Sequence, residues 1–130
     1  MYKLLKIDND AMTRMIQLQN NETGTVEYCF DDSAMTSTNN FDFMQIGNEY
    51  SCKILLFGKL AGSNESLLTT EYKIIGKEKI GKRVLTKVRK NKDVYYIDEL
   101  DMSNSSQKIA YCTTRKDIIQ VNNVVHADLL

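Results

Sequence analysis

This sequence alternates between apolar and polar side chains with a period of two, and it does so repeatedly along most of its length. A strand sends successive side chains to opposite faces, so such a chain can bury one face of a sheet, whereas a helix of the same pattern would bury nothing coherent. Met12, Arg14, Ile16 and Leu18 alternate with Thr13, Met15, Gln17 and Gln19, and Val26, Tyr28 and Phe30 alternate with Thr25, Glu27 and Cys29. The polar, Gly-containing stretch 20–24 between them suits a hairpin connection. An N-terminal strand at about 2–8, turning at Asn9-Asp10, makes a three-stranded meander. In 49–59, Tyr50, Cys52, Ile54 and Leu56 share one face while Leu55 and Phe57 fall on the other, which predicts a central strand covered on both sides. Further strands are expected at 66–76, 80–91, 93–100, 107–114 and 117–122, separated by turn-rich segments at 61–64, 91–93 and 102–106.

Residues 31–48 break the rhythm. Asn40 precedes Phe41, Met44 and Ile46, with Gly47 after them, a pattern that predicts one short helical turn near 41–46 with Phe41, Met44 and Ile46 inward. The stretch 124–130 is compatible with a strand, a short helix or a packed tail.

The expectation is a single all-β domain over residues 1–130, a compact small barrel of about seven to nine strands. In strand count and one long twisted hairpin it resembles the oligonucleotide/oligosaccharide-binding (OB-like) architecture, a likeness of form that carries no function with it. Apolar residues make up 42% and charged residues 26% of the chain, the balance of a domain that folds on its own core. No apolar run has the length of a signal peptide or a membrane span, so a cytoplasmic protein without membrane contact is expected. Cys29, Cys52 and Cys112 are odd in number and widely spaced, which favours reduced, buried thiols over disulfides.

Motifs for chemistry fail on inspection. The segment from Gly76 to Lys82 has the spacing of a phosphate loop, yet Arg83 stands where Ser or Thr should hold magnesium, and residues 84–89 have the pattern of a strand rather than a helix. A glycine-flanked hairpin turn is the better reading. Asp31-Asp32 and Asp98, Glu99 and Asp101 lack the spaced ligands of a calcium loop. Three distant cysteines and His126 lack the close pairs of structural zinc. With one histidine, placed among Val125, Ala127 and Leu129, and no nucleophile elbow, no catalytic residues, metal site or cofactor are expected, and the chain reads as a non-enzyme.

One asymmetry remains. The formal charge is zero, from 17 basic and 17 acidic side chains, but residues 71–92 hold nine basic residues against Glu71 and Glu78, a local +7 balanced by −7 elsewhere. Lys77, Lys79, Lys82, Arg83, Lys87 and Arg89 are the candidate binding residues of this basic hairpin, with Tyr72, Tyr95 and Tyr96 as candidates for stacking on bases. The first expectation is therefore a binding module contacting nucleic-acid phosphates. The alternative is a protein-interaction domain: an accessory, inhibitor or immunity-like protein docking on an acidic protein surface, or a homo-oligomer. Lysines on exposed strands also serve simply to discourage edge pairing.

Overall fold

A computed structural model describes residues 1–36, 38–61, 69–98 and 107–130. Strands make up 67% of the described residues and helical turns 5%. The all-β barrel expectation holds. The meander is β1 (Tyr2–Asp10), β2 (Thr13–Asn20) and β3 (Val26–Asp31); then come the two-residue β4 (Glu49–Tyr50), β5 (Cys52–Leu60), β6 (Thr69–Ile80), β7 (Arg83–Lys90), β8 (Asp93–Asp98), β9 (Lys108–Val121) and the two-residue β10 (Val124–Val125). In space the order is β4-β1-β2-β3-β9-β5-β8-β7-β6, and β6 also pairs with β9. Five strands, β9-β5-β8-β7-β6, thereby close into a barrel, and the meander extends from it through β3.

Strand β9 is the piece that joins these parts. One of its edges pairs antiparallel with β5 from Cys52 to Leu60, across two register shifts. The other meets β6 over Lys108–Cys112, β3 in parallel at Asp117, and β10 at Gln120 and Val121. The two strands expected at 107–114 and 117–122 are thus one long strand, since Arg115 and Lys116 continue the pairing with Phe57 and Leu56. Near the second register shift, Gly58 lies so close to β9 that an added Cβ would sit 1.9 Å from the Cys112 carbonyl oxygen.

Turns fall slightly off the expected positions. The first hairpin turns at Ala11-Met12 rather than at Asn9-Asp10, because Asp10 still pairs with Thr13, and Ala11 adopts φ +34° there. Strand β6 runs on through Lys77-Glu78-Lys79 to Ile80, so the glycine-flanked loop is really a two-residue turn at Gly81-Lys82. Gly76 carries a register shift instead. Residues 41–46 form turns, not a helix: the Met44 amide donates to the Phe41 carbonyl and the Asp42 amide to the Asn40 side chain, and Gly47 takes φ +92°. Phe41 and Met44 are buried as expected, whereas Ile46 is exposed. The 3-10 turns lie elsewhere, at Ser33–Met35 and Ala127–Leu129.

The sheet's inner face forms one core, in which Leu4, Ile16, Leu18 and Cys29 of the meander meet Ile54, Leu56, Val88, Ile97 and Ile118 of the barrel. A second, smaller core lies on the outer face, where Leu129 covers Leu55, Ile80, Leu85, Tyr96 and Ile119. Strand β5 is central, between β9 and β8, with Ile54 and Leu56 in one core and Leu55 in the other; Phe57, expected to be covered, is 51% exposed.

Candidate interaction site

The basic hairpin exists as β6–β7, but its cations do not form one surface. Residues directly opposed across an antiparallel ladder share a face. The pairs Lys73–Arg89, Gly76–Lys87 and Ile80–Arg83 lie on the outer face, with Leu85 in the outer core; Lys77–Thr86 and Lys79–Val84 lie on the other face. Lys82 is in the turn, its amide donating to the Leu129 carbonyl at 2.6 Å. Arg83 pairs with Asp98 and Lys87 with Glu78 at 3.7 Å, Glu78 also accepting from Lys53 at 2.6 Å and from the Tyr96 hydroxyl. Burial is the largest influence on Glu78 and works against its ionisation, yet the bond and charge of Lys53, the Tyr96 hydroxyl and the Lys87 charge together outweigh it and hold the carboxyl below its ordinary range. Lys77 is engaged as well. Lys79, Lys82 and Arg89 are exposed and have no ion-pair partner among the described residues. Tyr72, Tyr95 and Tyr96 are buried, the first two packed edge to face, so they are core residues and not platforms for bases.

The other sequence candidates fall in varied surroundings. Cys29 and Cys112 are buried and Cys52 is half-buried. Burial pushes the Cys52 thiol up to about 12 and the Cys29 thiol well above its ordinary value, so both stay neutral near neutral pH. His126 is packed, not frayed. Its Nδ1 accepts the Asp128 amide at 3.0 Å, which leaves the ring proton on Nε2, 2.6 Å from Asp32 Oδ1. Asp32, His126 and Asp128 bring their ligand atoms within 4.8 Å of one another, the one such group among the described residues. Both imidazole nitrogens are already used, so a cation would have to displace the amide or the Asp32 bond. Asp31 is buried and accepts from Arg14 at 2.7 and 2.9 Å and from the Ser33 amide. Glu99 and Asp101 lie outside the described residues.

Between β3 and β6, the second edge of β9 has no strand partner over Thr113–Lys116 among the described residues. A cleft of about 610 Å³ opens there, bordered by Glu27, Tyr72, Lys90, Asp93, Tyr95 and Thr113. Glu27, 2% exposed, accepts from Lys116 at 3.1 and 3.4 Å and from the Tyr95 hydroxyl at 3.0 Å. Asp93 is buried and accepts from Thr23, Thr25 and Asn20. The buried charges of the cleft are thus satisfied internally.

The most prominent exposed feature is one that sequence reading missed. On the outer face, one row across the sheet runs Asp8, Met15, Phe30, Asp117, Leu55; beside it Lys6, Gln17 and Tyr28 are paired on one side and Arg115 and Phe57 on the other, with Tyr28 and Arg115 both bordering the cleft. Tyr28 is 63% exposed and Met15 43%, and Phe30 is half-buried. The Arg115 guanidinium lies between two rings, 4.4 Å from the centroid of Phe30 and 5.1 Å from that of Phe57. Its Nε and Nη2 donate to the two oxygens of Asp117 at 2.6 and 2.9 Å. Stacking and the bidentate bond together fix this side chain in place. Aromatic residues, Met and Arg are the types enriched at protein interfaces. One sequence signal pointed here: Tyr28 and Phe30 share the face opposite buried Glu27 and Cys29, a strand with aromatics on its supposedly wet side. The neighbourhood of Arg115 and Phe57 was not legible, because the parallel contact of β3 with β9 spans most of the chain.

Compared with protein-family models, with curated proteins and with solved structures, the chain has no match. Function therefore rests on the geometry alone.

Proposed function

We propose that this protein is a non-catalytic binding module whose partner is a protein, held on the outer face formed by Met15, Tyr28, Phe30, Arg115 and Phe57. The observation that carries this reading is the exposed guanidinium clamped between two rings, a pre-ordered anchor at the centre of an uncovered aromatic face. Support for a non-catalytic role comes from His126, engaged at both nitrogens, and from Cys29 and Cys52, kept neutral by burial.

Phosphate binding by the hairpin is the second reading, supported by the exposed Lys79, Lys82 and Arg89. A photo-activatable residue placed at position 28, and in a second strain at position 82, separates the two readings. A protein adduct from position 28, insensitive to nuclease, is the expected result. An adduct formed only from position 82 and removed by nuclease would replace this reading with the nucleic-acid one.

A further inference from the structure

The charge pattern of the outer face points to its occupant. Within the block of ten residues from Asp8 to Phe57, charges occur as matched neighbours: Lys6 lies 3.6 Å from Asp8, and Arg115 is bonded to Asp117. Such a block has no net sign with which to attract a strongly acidic or basic partner, and a nucleic acid would desolvate Asp8 and Asp117 against its own phosphates. The whole chain is also neutral, so copies of it do not repel one another. Arg115 uses only Nε and one Nη2 proton on Asp117; Nη1 has no partner among the described residues. That leaves an open edge of the guanidinium able to receive a second carboxylate. Adjoining ground on the same face, over Leu55 and Tyr96, is already covered by the segment carrying Leu129, and the bare part continues directly from it.

We propose that the partner is a second copy of this chain, packed face to face about a two-fold axis, with Arg115 of each copy donating its open edge to Asp117 of the other. In a two-fold contact, whatever residue i does to j, j does to i, so one Arg–Asp pair per copy becomes a closed ring of four charges. Tyr28, Met15 and Phe57 of the two copies bury one another around it. This inference rests on the outer face being a protein-binding surface.

Sedimentation velocity on the full chain, from about 1 μM to about 1 mM, tests it, since standard association constants fall within that range. The expected mass rises with concentration from 14.9 kDa to twice that value. Tyr28→Ser and Phe57→Ser, both at exposed positions, weaken association by about tenfold each, the usual effect of truncating an interface aromatic. Arg115→Asp and Asp117→Arg each give a monomer alone, and an equimolar mixture of the two recovers the dimer through the swapped charges, with urea midpoints confirming that both fold. A monomer at every concentration overturns the proposal, as does a dimer that ignores Tyr28→Ser and Phe57→Ser. If the pure chain is monomeric while position 28 still forms adducts with a different protein, the face stands and the second copy is the wrong occupant.

Discussion

Glu27 and Lys116 show what one buried pair contributes. Removing only one partner strands the other charge away from water, which costs several times what the intact pair adds. Lys116→Met is therefore expected to lower unfolding stability by about 3 kcal/mol, because Glu27 keeps just the Tyr95 hydroxyl. Combining it with Glu27→Leu should bring stability back to within about 1 kcal/mol of the parent. Urea unfolding of the three proteins checks both, and a double variant weaker than the single would contradict the account. None of this was readable in the sequence. Glu27 sits in a clear strand pattern, but its partner is 89 residues away and across a parallel contact. Arg14 and Asp31 illustrate the same difficulty on a smaller scale: alternation places both on the inner face, while their meeting there depends on the hairpin register.

At the scale of single elements, the strands were legible because each carries its own alternation, whereas turns and joins depend on neighbours. Ala11 at φ +34° occupies a position that glycine takes without a Cβ penalty. Ala11→Gly is expected to raise stability by about 0.5–1 kcal/mol, read as a higher urea midpoint with an unchanged slope. Gly58 is the opposite case. Any side chain there meets the Cys112 carbonyl of β9 head on, so Gly58→Ala should cost about 3 kcal/mol or more by forcing β5 from β9. Gly24→Ala, at φ +78° with open space around it, should cost only about 1 kcal/mol of backbone strain. Equal losses at the two positions would argue against the close approach of β5 to β9. Edge protection also belongs here: past its two-residue contact with β4, β1 presents Lys6, Asp8 and Asp10 and a register shift near Leu4, features that discourage a further strand from adding.

Over the whole molecule, the tyrosines govern behaviour at high pH. Tyr2, Tyr95 and Tyr96 are raised well above their ordinary value of 10.0, chiefly by burial and then by the carboxylates Glu27 (for Tyr2 and Tyr95) and Glu78 (for Tyr96), and burial pushes Cys52 up to about 12. Each is an acid that stays protonated in the fold at a pH where the unfolded chain has released its proton. The unfolded state then binds fewer protons, so stability falls as pH rises. The contribution is complete below the ordinary thiol and phenol values and is lost upward through them. The urea midpoint should accordingly be level from about pH 6 to 8 and drop steeply above about pH 9, tracked by the phenolate absorbance appearing together with unfolding. Ionisation of all seven tyrosines near pH 10 in a still-folded protein would contradict the burial of these three rings. At this scale the class of fold was legible from alternation and turn spacing, and the closure of five strands was not, since it turns on which strands β9 adopts. Positive charge along residues 71–92 was likewise visible at once; its division between two faces, and the engagement of Arg83 and Lys87, required the register.

Strand β9 joins β3, β5 and β6, all of which leave the ribosome ahead of it, and until it arrives the meander and the open half of the barrel have, among the described residues, no strand pairing to lock them together. During synthesis the earlier strands must therefore wait with apolar faces uncommitted. The chain is in this sense finished by a late clasp, and its riskiest moment for sticking to other molecules comes just before that clasp is made.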